Sequence, residues 1–290
     1  MHYFLLFTHF VSLLLPGTFS YLQPNAFSSI RLSPSVYSGQ LGPIVGETYL
    51  PTSWIVTQWG ILEDLPSVPQ ILPDGTWKIS NSFASVRSSP LSDVLFLTQD
   101  ARDSRFACNE FDLNVEPAST VVYPGYTDPL IPIASSPTLA DSKALRIDAL
   151  QKVQSSSRGL RCPAGENLGS TMVALIFSSA VTEQIIFYQI VTFDSRGAFF
   201  SGFWFFQGPK IFGVNDSVSL LGANALQVDD GGILYQLEVL SRVRSLITHG
   251  PVGLDKDLSH WKLRGFYLSS NTNGEATIES VHGHVRLIGG

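Results

Sequence analysis

Residues 183–207, EQIIFYQIVTFDSRGAFFSGFWFFQ, constrain the fold more than any other stretch of the chain. Two runs of β-branched and aromatic residues flank Asp194-Ser195-Arg196-Gly197, a turn-forming cluster closed by glycine. Such side chains suit a pleated surface, so the pattern predicts a β-hairpin with a loop of four residues or slightly more. Both runs are apolar on both faces, which requires cover on both sides and places the pair at the centre of a sandwich. Parity divides the first strand. Gln184, Ile186, Tyr188, Ile190 and Thr192 share a row with polar handles, and Ile185, Phe187, Gln189, Val191 and Phe193 share the other. The second row is the better candidate for the inter-sheet core. On the returning strand Phe200, Gly202, Trp204 and Phe206 share a row, with Gly202 leaving space beside Trp204. The expectation is a concave, mainly apolar surface with Tyr188, Gln184 and Trp204 as orienting groups. A closed aromatic core with locally satisfied hydroxyls fits the same residues.

Elsewhere, strands are predicted at 54–59, 77–86, 93–98, 111–115, 144–153, 171–177, 217–221 and 234–240. Five prolines between 117 and 137 forbid regular ladders and predict an ordered crossing loop, and 155–169 reads as a second loop. Leu240, Val243 and Ile247 share a face at helical spacing before Gly250-Pro251, which predicts one short helix over 240–248. The chain closes on two strands, 261–269 and 276–287, joined by Asn271-Thr272-Asn273-Gly274, a turn signal. Many short strands and little helix predict an all-β, antiparallel two-sheet sandwich of jelly-roll or concanavalin-like type.

Met1 to Ser20 has the form of a secretory signal peptide. Its apolar core runs from Tyr3 to Leu15, Pro16-Gly17 breaks it, and Thr18 and Ser20 stand at −3 and −1 of a cut before Tyr21. The apolar run is too short to span a bilayer comfortably, so no stable membrane insertion is expected after cleavage. The remaining residues, 21–290, are predicted to form one sandwich domain preceded by an extended arm over 21–51, in a secreted or lumenal protein. The two cysteines, Cys108 and Cys162, are then expected to pair, stabilising by roughly 4 kcal/mol in the chain-entropy model. Asn215-Asp216-Ser217 is a glycosylation sequon in a predicted loop. The net charge is −6 and no basic patch with interleaved aromatics occurs, which argues against nucleic acid as a partner.

The terminal strand alternates Ile278, Ser280, His282, His284 and Arg286 against Thr277, Glu279, Val281, Val285 and Leu287. Two histidines two residues apart could share a metal, but no third ligand stands at suitable spacing, and a solvated polar face is the favoured account. Arg264, Tyr267, His282 and His284 could instead donate to a ligand carbonyl. For glycoside cleavage two carboxylates are needed, and Glu110, Glu183, Glu238, Glu275 and Glu279 are the strand-associated candidates. Glu183 opens an apolar strand somewhat as a catalytic glutamate does in concanavalin-like glucanases, yet 269–274 has no glutamate where those enzymes place their acid. No nucleophile elbow, phosphate loop, zinc-protease helix or dinucleotide fingerprint is present.

The signal peptide, the single cysteine pair, IIFYQIVTFDSRG at 185–197 and WKLRGFYLSSNTNGEATIESVHGHVRL at 261–287 give a layout that resembles the secreted fungal β-sandwich proteins acting as hetero-Diels–Alderases in tropolone–sesquiterpenoid pathways. The resemblance implies cyclisation of an apolar polyene onto a quinone methide, with no metal or organic cofactor. On that reading Tyr188, Arg264 and His284 are the catalytic candidates, and Gln184, Phe200, Trp204, Tyr267 and His282 line the substrate. The alternatives are a secreted carbohydrate-binding or glycoside-cleaving sandwich, using Trp54, Trp59 and Trp77, and a non-catalytic secreted interaction protein. Oligomeric state is not legible.

Overall fold

The computed structural model describes residues 19–20, 35–37 and 54–289, apart from 118–136 and short gaps at 61, 64, 67–69, 90–93, 107, 164–165, 198, 200, 208–209 and 223–224. Most of the predicted signal peptide, arm and proline-rich loop lies outside the described residues.

Two sheets face each other. The first orders β14 (Ile233–Glu238), β9 (Leu145–Arg158), β16 (Ala276–Gly289), β7 (Val94–Asp100), β6 (Ala84–Ser89), β5 (Trp77–Ser80) and β4 (Gln70–Ile71). β1 (Phe19–Ser20) also pairs with β16, so a cut before Tyr21 would remove it. The second orders β12 (Ser201–Gln207), β13 (Ile211–Asp216), β11 (Ile185–Asp194), β10 (Leu168–Ser179), β15 (Trp261–Asn273), β8 (Glu110–Pro117), β3 (Trp54–Trp59) and β2 (Ser35–Tyr37). Named strands pair antiparallel except β11 with β13 and β2 with β3. The chain is a predominantly antiparallel two-sheet sandwich of jelly-roll type, as the sequence predicts.

Strand positions agree with the sequence better than strand pairings do. The predicted strand over 77–86 is a hairpin of β5 and β6 turning at Asn81, whose Oδ1 accepts from the amides of Phe83 and Ala84. β9 continues through the predicted loop as far as Arg158. Residues 217–221 form a short helix, α1 (Ser217–Leu221), and β13, a strand absent from the sequence expectation, lies just before it, buried along its whole length.

Both predicted hairpins are corrected. β11 and β12 are not neighbours, because β13 lies between them, parallel to β11 and antiparallel to β12. Asn271 to Gly274 does not close a hairpin either. It carries the chain from β15 in the second sheet to β16 in the first, with Gly274 at φ 64°. A turn fixes a reversal of direction, whereas the partner strand is chosen by which apolar faces can be buried together.

Val173, Leu175 and Phe177 of β10 meet Leu95 and Leu97 of β7 and Ile147 of β9 in one apolar cluster between the sheets. Each such side chain, fully withdrawn from water, contributes roughly 1.5–3 kcal/mol. Helix α2 (Leu240–His249) adds Leu240, Val243 and Ile247 to it from one face, as its spacing predicts. Cys108 and Cys162 form a disulfide with Cα atoms 5.6 Å apart, tying the approach to β8 to the segment after β9.

Candidate functional site

Side chains opposite one another in a ladder share a face, and the register therefore defines the outer surface of the second sheet. It carries Glu110 and Asp112 from β8, Tyr267 and Asn271 from β15, Met172, Ala174, Ile176 and Ser178 from β10, and Ile185, Phe187 and Gln189 from β11. A second apolar cluster occupies its middle: Met172, Ala174, Ile176, Ile185 and Tyr267, with Phe187 and Val191 packed against it. The Tyr267 and Phe187 rings lie 6.5 Å apart, edge to face, and Gln189 Nε2 donates to the Tyr267 hydroxyl at 2.9 Å.

At one end of this strip stand two carboxyl groups. Glu110 and Asp112 alternate with the buried Phe111 and Leu113, so both point outward. Asn271 Nδ2 donates to Glu110 Oε1 at 2.7 Å and also to Asp112 Oδ1. Burial, and next the charge of Glu110, push the Asp112 carboxyl well above the ordinary carboxylate range, against the pull of the Asn271 hydrogen bond. Glu110 is exposed and Asp112 half-buried. Glu110 was among the sequence candidates and Asp112 was not, although Glu-x-Asp-x-Asn at strand spacing is a legible signal.

The opposite end is basic. The register of β15 shifts beside Ile176 and Phe177, and Arg264 is the inserted residue. Its Nε donates to Ser178 Oγ at 2.5 Å. Burial alone moves its guanidinium, downward from the usual range.

The parity expected for β11 is reversed. Ile186, Tyr188 and Ile190 face the inter-sheet core, while Ile185, Phe187 and Val191 face out. Tyr188 is 1% exposed and donates to Asp216 Oδ2 at 2.7 Å, so it meets a buried carboxylate and not a ligand. Arg242 of α2 completes that group, its Nη2 2.7 Å from Asp216 Oδ1. Burial is the main cause holding the Tyr188 phenol above its usual range, and the Asp216 charge is the next. Gln184 is buried and spans to the 251–257 loop, donating to the Gly253 carbonyl at 2.7 Å and accepting from the Asp255 amide at 2.8 Å.

His282 is fully buried between the sheets, which corrects the solvated-face reading of its row. Gln151 Nε2 donates to its Nδ1 at 2.9 Å, so Nε2 carries the proton and faces Ser280 Oγ at 3.0 Å. Burial depresses its pKa to about 3, and it is neutral. With Nδ1 occupied it is not half of a metal pair. The side chains of Phe200, Trp204, His284, Trp54, Trp59 and Trp77 lie outside the described residues. Asn215 lies in a strand rather than a loop. It is 3% exposed, and its Oδ1 accepts from the Ser217 amide at 3.0 Å, so the folded chain does not offer it as a glycan carrier. Glu183 is a turn residue at φ 58°, 77% exposed and paired with Lys210 at 2.6 Å, which removes it as a catalytic candidate.

No family model matches the chain, and no curated protein matches it in sequence. Solved structures match it in layout. A family 11 xylanase from Neocallimastix patriciarum is 8% identical, covering 79% of this chain and 96% of its own, with a TM-score of 0.39. A thermostable cellulase derived from Cel12A of Rhodothermus marinus is 5% identical over 80% and 98%, with a TM-score of 0.42. A family 12 xyloglucanase from Bacillus licheniformis is 9% identical over 77% and 91%, with a TM-score of 0.41. The cyclase expectation is corrected. Tyr188 and His282 are engaged inside the sandwich, and Gln184 is held by the 251–257 loop, so none of the three stands open to a substrate.

Proposed function

We propose that this chain acts on glycans, and that the outer face of the second sheet binds a sugar chain and cleaves a glycosidic bond. The observation behind this reading is the Glu110–Asp112 pair on Asn271, on the same face of the sheet as the Tyr267 and Phe187 rings. Glycoside hydrolysis needs one carboxyl group that keeps its proton and a second that works as a carboxylate. Asp112 is the group whose protonated form the site favours. In this proposal it gives that proton to the leaving oxygen as the C–O bond breaks. Glu110 serves on the sugar side as nucleophile or as base to water, and the half-buried Phe187 ring farther along the face supplies apolar surface for a sugar.

Export is part of the same proposal, with cleavage after Ser20; the Cys108–Cys162 disulfide supports an oxidising compartment. N-terminal sequencing of protein from the medium tests it, and an intact Met1 there would reject it.

The experiment for the activity is reducing-end release from a panel of glucan, xylan and xyloglucan oligosaccharides. Release that disappears in Asp112→Asn and in Glu110→Gln, with folding retained, supports the reading. Binding without release by the wild-type chain limits the function to recognition. Neither binding nor release removes it.

A further inference from the structure

The outer face differs in charge between its two ends, and Arg264 stands at the basic one. Arg244 donates to three backbone carbonyls, and Arg87 lies over the Phe96 ring. Arg102, Arg105, Arg146, Arg161, Arg196 and Arg242 each pair with a carboxylate. Arg264 has a neutral partner instead, the Ser178 hydroxyl, and no carboxylate pairs with it among the described residues. It is half-buried beside Ile176 and Ile185, which flank Gly265 and Ser178 in the ladder. A guanidinium drawn partly out of water without a counter-charge is costly unless an anion joins it.

The geometry decides which anion. Nε is engaged by Ser178, and among the described residues no hydrogen bond occupies the Nη1–Nη2 edge. Parallel N–H groups on such an edge match the two oxygens of a planar carboxylate. Lys262 stands opposite Ser178 in the register and adds a second positive charge on the same face. From Asn271 to Arg264 the strand runs about 23 Å, at about 3.3 Å per residue, so a chain reaching both ends spans several sugar units.

We propose that Arg264, with Lys262 beside it, binds the carboxylate of an acidic sugar, so that the glycan taken by this face carries uronic acid units. The inference rests on the glycan reading above. Ile176 and Ile185 are buried beside Arg264, and the bulge sets it off the regular ladder.

The test is titration calorimetry on the mature wild-type chain with uronate-bearing oligosaccharides and their methyl esters, which are neutral and otherwise the same. The free acid should bind at least tenfold more tightly, and the difference should shrink as salt rises. In Arg264→Gln the acid-to-ester ratio should fall towards one, and in Arg264→Lys it should be intermediate. Equal binding of acid and ester by the wild-type chain overturns the inference and leaves the glycan reading standing. Failure to bind either overturns both. A preference for acid that persists in folded Arg264→Gln rejects the assignment to this residue, and tighter binding of sulfated oligosaccharides rejects the carboxylate. Should Arg264→Gln fail to fold, Lys262→Gln together with the wild-type ratio decides.

Discussion

The Tyr188 hydroxyl donates to Asp216 Oδ2 at 2.7 Å, and both side chains are almost wholly withdrawn from water. This bond explains why a strand with a polar row turns that row inward. The core already holds a carboxylate, itself held by Arg242 from α2. Hydrogen bonds to charged groups contribute about 1.5–3 kcal/mol. Tyr188→Phe should lower unfolding stability by that amount in a denaturant titration while glycan binding persists. Lost binding at unchanged stability would return Tyr188 to the ligand site.

Asp112→Asn should abolish glycoside cleavage and raise stability at neutral pH. The sign follows from the raised pKa of Asp112. Between the ordinary carboxylate value and the folded one, the native state holds the extra proton, so wild-type stability falls as pH rises and levels off above the folded pKa. The variant should lack that decline in denaturation midpoints measured across pH. Cleavage by the wild-type chain should fail over the same interval as the acid loses its proton.

His282 gives the opposite slope. Its pKa is about 3 in the fold against an ordinary 6.5, so the native chain excludes a proton that the unfolded chain accepts. Its contribution is complete above about pH 6.5 and is lost progressively as pH falls towards 3, a change of several kcal/mol. His282→Gln should flatten the stability profile between pH 7 and 4. An unaltered profile would mean that acid sensitivity comes from other groups.

Gly60 has φ +66°, and a Cβ placed there would stand 1.9 Å from the Glu110 carbonyl oxygen. Gly60→Ala should therefore displace the start of β8 and reduce both stability and cleavage. Asp112→Asn, in contrast, should abolish cleavage without any loss of stability. Thermal midpoints measured alongside reducing-end release separate the two.

Reduction of Cys108–Cys162, which spans 54 residues, should cost about 2–4 kcal/mol. Comparison of denaturant midpoints with and without reductant measures it. A change well under 1 kcal/mol would mean that the strands near Gly274, whose Cβ position lies 3.0 Å from Cys162 Sγ, hold this end unaided.

The carboxylate pair was within reach of the sequence, since residues two apart on a strand share a face whatever the fold. Of the two, only Glu110 belongs to the strand-associated glutamates that a search for glycosidase carboxylates picks out. Arg264 could not be judged from sequence. Its neutral partner, Ser178, lies 86 positions away, and its place in the strand depends on a register shift that no local pattern announces.

The sequence by itself determined where most strands and the longer helix form, that both faces of residues 185–193 are covered, and that the layers make a sandwich. These follow from side-chain period and backbone preference, which are local. Tertiary structure decided the insertion of β13 between β11 and β12, the passage of Gly274 from one sheet to the other, and the inward turn of Tyr188 and His282. Each of those depends on a partner distant in sequence, a strand edge or a buried polar group. The free energy of burying it is set only when the two sheets close.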